Sequence, residues 1–249
     1  MAPEVIVDKP EALSATFVRR VEDLAGTALR DRGRFALALS GGSVAETLLP
    51  ALAVASVDWA RVDLFWADER AVPPDHPDSN YGLARSLWLK TGGPPAERVH
   101  RMPADAPDLD AAARAYEAQL VARLGTPPSV DVALLGVGPD GHVCSLFAGH
   151  VLLREEIRFV AAIEDSPKPP PKRLTLTLPA LAAARLLVVA AFGQAKAAVV
   201  REALHDLESN LPLALALRRA PQSLVLLDPA AATPKARPAS GKMATRVTT

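Results

Sequence analysis

Short, mostly apolar runs, each followed at once by glycine or charged residues, most restrict how this chain can fold. The strongest are Phe35–Leu39, Val62–Trp66 and residues 130–135. Runs of this length between turn residues predict buried strands, and amphipathic stretches such as residues 13–28 predict helices between them. Because strands alternate with helices along most of the chain, we expect a three-layer, doubly wound α/β fold. It is of the Rossmann-like type, with a mostly parallel sheet and helices on both faces.

No linker-like segment divides the first 228 residues, so we expect a single α/β domain over residues 1–228. An apolar content of 49% is enough for a sizeable core. Residues 229–249 are mostly alanine, proline, threonine and lysine, and this composition predicts a disordered tail.

Charge and cysteine content narrow the choice of compartment and partner. Lysine plus arginine total 28, as do aspartate plus glutamate, so no net field attracts nucleic acid or an anionic membrane. A single cysteine, Cys144, excludes a disulfide within the chain and favours a reducing compartment. With neither a signal-peptide pattern nor ~18 uninterrupted apolar residues, we expect a cytoplasmic protein without a membrane or nucleic-acid partner. Its oligomeric state stays open between a monomer and a small homo-oligomer.

Polar and glycine residues cluster where three predicted strands end, at residues 40–43, 68–70 and 136–142. Ligands of an open parallel sheet bind beyond the carboxyl ends of its strands. We therefore expect the three segments to meet in one ligand-binding site.

The first segment, Ser40-Gly41-Gly42-Ser43, joins a strand to a helix. Free backbone N–H groups at such a helix start bind phosphate well. A purely structural alternative is that Ser43 and Glu46 form a capping box. The segment lacks the longer glycine patterns of nucleoside triphosphate and dinucleotide sites.

The third segment places His142 after Asp140 in a glycine-rich turn. An imidazole with a reference pKa of ~6.5 can act as a base at neutral pH, and a surface histidine is the alternative. Cys144 lies close by, but no orienting group for a cysteine nucleophile is evident, so we expect it to be a packing residue.

Arg173 and Lys196 are the candidate anion ligands, and for each the alternative is a solvated surface charge. Lys196 lies in the first turn of a predicted helix, where a cation is unfavourable unless an anion lies beside it. The spacing of the other four histidines matches no metal-binding pattern, so we expect no metal.

Several segments together resemble the 6-phosphogluconolactonase family, from about Pro10 to about Pro229. Residues 136–147 (GVGPDGHVCSLF) are similar to its G-x-G-x-D-G-H-x-x-S-L-F pattern. The other similar segments, in the same order as in the family, are 39–43 (LSGGS), 66–73 (WADERAVP) with 79–81 (SNY), 173–177 (RLTLT) and 193–196 (GQAK). Two departures are Val44-Ala45, where the family often has Thr-Pro, and Ala148, where it often has proline.

The resemblance implies hydrolysis of 6-phosphoglucono-δ-lactone to 6-phosphogluconate in the pentose phosphate pathway, with a phosphorylated sugar lactone as ligand and no cofactor. It implies that His142 is the general base and that Asp140 orients the site. It implies a phosphate site made by the backbone of Gly41, Gly42 and Ser43 with Arg173 and Lys196. Arg70, Ser40 and Asp68 complete the predicted substrate-binding set.

Two alternatives remain. Glucosamine-6-phosphate deaminases share the fold but carry a glutamate at the position of Phe147, and phenylalanine cannot transfer protons. Asp68, which matches the other base of the deaminases, is retained and so does not distinguish a deaminase from a lactonase. A non-catalytic sugar-phosphate sensor would keep Arg173 and Lys196 but would not need His142 with Asp140.

Overall fold

The computed structural model describes residues 2–233, and its strands form two sheets. The strands are β1 (Glu4–Val7), β2 (Phe35–Leu39), β3 (Val62–Trp66), β4 (Asp68–Arg70), β5 (Val99–His100), β6 (Val132–Gly136), β7 (Val160–Ile163), β8 (Arg173–Leu176), β9 (Leu186–Ala191) and β10 (Ser223–Leu227). The larger sheet has seven strands in the order β1-β10-β9-β6-β2-β3-β5, and every neighbouring pair in it is parallel.

Helices pack around this sheet, which confirms the predicted α/β class. They are α1 (Pro10–Arg32), α2 (Ser43–Leu52), α3 (Asn80–Ala84), α4 (Leu109–Leu124), α5 (Leu178–Ala183), α6 (Ala197–His205), α7 (Pro212–Arg219) and α8 (Pro229–Ala232). A π-helical turn, Arg85–Leu89, continues α3. Proline starts α1 at a position that needs no N–H donor, and Gly33, with φ of 73°, ends it.

Central strands are buried along their whole length. All residues of β2, β3, β9 and β10 are buried because helices or neighbouring chain cover both faces. Continuous rather than alternating apolar runs are what such strands require.

A second sheet of three antiparallel strands, in the order β4-β8-β7, was not predicted. Leu174, Leu176 and Leu178 alternate with threonines, a pattern that predicts a half-buried strand. Instead β8 is buried throughout and lies between two strands, and Leu178 leaves the sheet to begin α5. The register pairs Arg70 with Arg173, so this small sheet brings two predicted site residues side by side.

Two predicted boundaries differ from the structure. The sequence predicts Asp105 as the N-cap of α4, with Asp108 in the first turn. In the structure the N-cap is Asp108, whose carboxylate accepts from Ala111 N at 2.9 Å, whereas Asp105 pairs with Arg101. The predicted disordered tail began at residue 229, but Pro229–Ala232 form α8 because Asp228 caps it through Ala231 N at 2.7 Å. The rest of that tail, from residue 234, lies outside the described residues.

Within residues 2–233, no helix is both long enough and apolar enough to cross a membrane.

Candidate active site

The carboxyl ends of β2 and β6 and the small sheet open onto one cavity of about 230 Å³. All the predicted site residues except Asp140 line it. The lining residues are Ser40, Gly41, Gly42, Ser43, Val44, Asp68, Arg70, Asn80, Gly136, Val137, Gly138, Pro139, His142, Cys144, Arg173 and Lys196. The three polar segments that follow the strands therefore meet, as the sequence predicts.

The glycine turn before α2 is closely packed. A Cβ on Gly41 would lie 1.9 Å from Asn80 Oδ1, and Gly42 has φ of 70°, which favours glycine. The alternative of a capping box between Ser43 and Glu46 is wrong, because Gly42 is the N-cap and no side chain caps α2. Ser43 Oγ instead accepts a hydrogen bond from Lys196 Nζ at 2.9 Å. The first N–H groups of α2 stay available to an anion.

The turn that carries His142 is closed by backbone hydrogen bonds. Gly138 N donates to His142 O, and Gly141 N donates to Gly138 O, both at 2.9 Å. A Cβ on Gly138 would lie 2.1 Å from two ring atoms of His142, so only glycine allows this approach. The turn presses the imidazole against its own backbone and limits its orientation.

Asp140 and His142 form a hydrogen-bonded pair, with 2.5 Å between Oδ1 and Nδ1. Burial alone would raise the pKa of Asp140, but the hydrogen bond and charge of His142 and the charge of Lys168 lower it below its usual value. An ionised carboxylate can only accept, so Nδ1 carries the proton and Nε2 of the neutral ring is an acceptor. Within residues 2–233 no hydrogen bond engages Nε2.

Phe147 packs beside this pair and is almost fully buried. The centroid of the Phe147 ring lies 4.8 Å from that of the His142 ring and 5.6 Å from the guanidinium carbon of Arg173. The side chain at the deaminase glutamate position therefore supports two predicted site residues by packing.

A chain of buried hydrogen bonds connects Asp68 to Arg173. Ser145 Oγ donates to Asp68 Oδ2 at 2.9 Å and accepts from Arg173 Nη1 at 3.4 Å. Asn80 Nδ2 donates to the Asp68 carbonyl at 2.8 Å and to its Oδ1 at 3.1 Å. Asp68 is thus held on both carboxylate oxygens. Sequence reasoning did not identify Ser145 or Asn80, although both lie in the segments that carry the family resemblance.

Glu69 was also missed, and its role is structural. Its carboxylate accepts from the backbone N–H groups of Arg70, Asn80 and Tyr81 at 2.7–2.8 Å, and from Ser79 Oγ at 3.1 Å. Burial raises the pKa of Glu69 above its usual value, and these backbone donors offset only part of that rise. This one carboxylate ties the start of α3 to β4, which explains why the D-E-R and S-N-Y segments occur together.

Three cations face the cavity. Burial lowers the pKa of Lys196 and of Arg173, while the charges of Asp228 and Asp68, respectively, oppose the change. Arg70 Nη1 donates to the carbonyl of Asp78 at 2.8 Å. Cations beside the start of a helix make this part of the cavity suited to a phosphate group.

Cys144 lines the cavity with a buried side chain. Burial, with the charge of Asp68, raises the pKa of the thiol well above its usual value. Its φ of 51° places it in the left-handed region. A thiol that stays protonated is a poor nucleophile, in agreement with the predicted packing role.

The described residues contain no group of three or more histidine, cysteine, aspartate or glutamate side chains able to hold a metal ion.

A glycine-lined, cationic cavity with a His–Asp pair at the carboxyl edge of a parallel sheet is typical of α/β proteins that act on phosphorylated small molecules. Comparison with known proteins specifies the class further. The family model of glucosamine-6-phosphate isomerases/6-phosphogluconolactonase matches residues 8–226. The chain belongs to this family.

Individual relatives support the same family membership. The chain is 43% identical to a 6-phosphogluconolactonase of Rattus norvegicus, covering 91% of each chain, and 41% identical to one of Streptomyces coelicolor, covering 93% of this chain and 94% of the other. The structure of 6-phosphogluconolactonase from Trypanosoma cruzi superposes with a TM-score of 0.83 at 28% identity, covering 93% and 97% of the two chains. The predicted family membership, the fold and the assignment as an enzyme are confirmed.

Proposed function

We propose that this chain hydrolyses 6-phosphoglucono-δ-lactone to 6-phosphogluconate, a step of the pentose phosphate pathway. The relatives named above are 6-phosphogluconolactonases. The observation that carries the proposal is that His142, with Nδ1 bound to Asp140, shares one small cavity with Arg70, Arg173 and Lys196. One small cavity thereby brings together a candidate base and cations suited to a phosphate group.

The phosphate end of the substrate fits the start of α2. The backbone of Gly41, Gly42 and Ser43 supplies N–H donors, and Lys196 and Arg173 supply positive charge. Lys196 Nζ already lies 2.9 Å from Ser43 Oγ, so the cation and the helix start converge on one point. Binding far from the reacting carbonyl provides energy that orients the lactone without taking part in the chemistry.

At the reacting end, Nε2 of His142 removes a proton from a water molecule as its oxygen attacks the lactone carbonyl carbon. The tetrahedral intermediate then collapses, the bond to the ring oxygen breaks, and the imidazolium returns its proton to that oxygen. Ionised Asp140 holds the productive tautomer and stabilises the imidazolium. General base catalysis of this kind contributes about 10²–10⁴-fold. Since a lactone is an activated ester, that factor with positioning is enough.

The isomerase half of the family has less support in this cavity. Its chemistry needs a proton-transferring carboxylate at the position of Phe147, and this ring instead packs on His142. Asp68 is present, but Ser145 and Asn80 occupy both of its carboxylate oxygens.

Substrate choice tests the proposal. Purified protein is offered freshly generated 6-phosphoglucono-δ-lactone and, separately, glucosamine 6-phosphate, with spontaneous lactone hydrolysis subtracted. We expect rapid hydrolysis of the lactone and no release of ammonia from the amino sugar. Ammonia release would favour the deaminase. Binding of the phosphosugar without turnover of either compound would favour the sensor.

A further inference from the structure

A proline-rich segment, residues 166–172, lies beside the site and is named here the proline loop. Arg173, which follows it, donates three hydrogen bonds to its backbone. Nε donates to the Pro170 carbonyl at 3.0 Å, and Nη2 donates to the carbonyls of Lys168 and Pro169 at 3.2 and 3.1 Å. Ser166 N donates to the Pro171 carbonyl at 3.0 Å and closes the loop on itself. The backbone that carries Lys168 is therefore fixed by a residue of the substrate cavity.

Lys168 extends from this loop to the His–Asp pair. Its Nζ lies 3.4 Å from Asp140 Oδ2, while the other carboxylate oxygen of Asp140 binds His142. Asp140 therefore bridges an ammonium group and an imidazole. Lys168 does not line the cavity, and its side chain is 40% exposed, so it does not touch the substrate position directly.

We propose that Lys168 is a positioning residue that sets the basicity of His142 through Asp140. The inference rests on the proposed function, because it assigns a role within the same base-catalysed step. The ammonium group holds Asp140 oriented and ionised. It also opposes the positive charge that forms on the imidazole when Nε2 takes up a proton.

Other charges act on the same histidine and must stay constant in a test. Those that line the cavity with His142 are Asp68, Arg70, Arg173 and Lys196. The proline loop supplies a matched control, because Lys172 pairs at its far end with Glu164, with 3.2 Å between Nζ and Oε2. Replacing Lys172 removes the same charge from the same loop without touching Asp140.

The experiment is the pH profile of kcat/KM for wild type, Lys168→Met, Lys168→Arg and Lys172→Met. Loss of the ammonium strengthens the attraction of Asp140 for the imidazolium, so the acid limb of Lys168→Met moves to higher pH, by about half a unit. Activity on that limb falls about threefold. Lys168→Arg keeps the charge, so it and Lys172→Met are expected to follow wild type. Coincident profiles for Lys168→Met and wild type, or an equal shift in Lys172→Met, would overturn the proposal.

A second readout separates this proposal from the lactonase assignment. The Cε1 proton of His142 is titrated by NMR, with its signal assigned by its loss in His142→Ala. The apparent pKa is expected to rise by the same half unit in Lys168→Met. This measurement needs no substrate, so an inactive wild type would refute the proposed function while the NMR shift still decides the role of Lys168. Lys168→Gln replaces Lys168→Met if the methionine variant fails to fold.

Discussion

The ring of Phe147 packs against the imidazole of His142, with centroids 4.8 Å apart and planes inclined by 41°. Asp140 binds Nδ1 of the same imidazole, so one ring face and one nitrogen are occupied by the protein. The remaining nitrogen, Nε2, is the one left for chemistry. The arrangement suits a base that acts on water and supplies no carboxylate for sugar ring opening.

Replacing Asp140 by asparagine tests the orientation of that base. An asparagine amide can donate to Nδ1 of His142, which favours the tautomer that carries the proton on Nε2. In that tautomer Nε2 cannot accept a proton from water. We expect kcat to fall by about 10²-fold or more with KM little changed. Steady-state kinetics with the lactone and a circular dichroism spectrum check this.

The pair His150 and Asp165 offers a control for that variant. His150 Nε2 lies 3.0 Å from Asp165 Oδ1, but neither residue lines the cavity. Asp165→Asn makes the same chemical change in a second His–Asp pair and should leave kcat within twofold of wild type. Equal losses in the two variants would contradict the assignment of Asp140.

Gly138→Ala tests the close approach of the turn to His142. The new Cβ would lie 2.1 Å from ring atoms of His142 and 2.5 Å from Asp140 Oδ1, so the pair must move. We expect activity to drop by about 10²-fold, because small displacements of a catalytic group have such effects. Full activity in a folded Gly138→Ala would show that the pair is not needed in this geometry.

Gly26→Ala is the matched control. Gly26 lies within α1, and its Cβ would meet only the end of the Arg30 side chain, at 3.5 Å. Alanine in a helix interior is favoured over glycine by about 0.5–1 kcal/mol. This variant should keep full activity with an equal or higher melting temperature.

Lys196→Met tests the phosphate end of the site. Lys196 is the partly buried cation bound to Ser43, and a charged hydrogen bond to phosphate is worth about 1.5–3 kcal/mol. We expect KM to rise about 10–100-fold, with a smaller change in kcat, and the inhibition constant of inorganic phosphate to rise with it. Lys90→Met, an exposed charge outside this cavity, should change neither. A fall in kcat alone would place Lys196 at the reacting end.

Asp63, which does not line the cavity, is expected to make the stability of the fold depend on pH. Its buried carboxylate binds His100 Nε2 at 2.8 Å and Arg98 and Arg123 at 3.1 Å. Burial opposes ionisation, but the hydrogen bond with His100 and the charges of Arg98 and Arg123 outweigh it and lower the pKa. These contacts of Asp63 therefore stabilise the fold at pH values above about 3.9, the pKa of an aspartate in the unfolded chain. The stabilisation is lost as pH falls through the lower pKa that Asp63 has in the folded protein.

The test is the melting temperature of wild type and Asp63→Asn from pH 7 to pH 2.5. At neutral pH the variant should be less stable by about 3 kcal/mol, because cations lose a buried partner. The difference should shrink below about pH 4. A constant difference across the whole range would contradict the ionised state of Asp63.

Local pattern was enough to predict much of the site. Strands such as Phe35–Leu39 are buried on both faces and so read as continuous apolar runs, and their ends place glycine and polar residues at one edge. His142, Arg173 and Lys196 were found because each stands beside a glycine, a proline loop or a helix start.

Long-range pairing explains what was missed. β4 is only three residues long and charged, and it becomes a strand because β8, about a hundred residues later, pairs with it. Glu69 is buried because the start of α3 folds back on β4 and supplies its hydrogen-bond partners. The capping box at Ser43 is absent because α2 begins at Ser43 itself, with Gly42 as the N-cap, and Lys196 from another strand end donates to the Ser43 hydroxyl. No local propensity reports such contacts.

The proposed mechanism depends on His142 acting as the base of a lactonase. The most direct test measures hydrolysis of freshly generated 6-phosphoglucono-δ-lactone by wild type and by His142→Ala, with the spontaneous rate subtracted. We expect strong acceleration by wild type, and a loss of about 10²–10⁴-fold in a folded variant that still binds inorganic phosphate. A wild type no faster than background, or a His142→Ala enzyme with full activity, would contradict it.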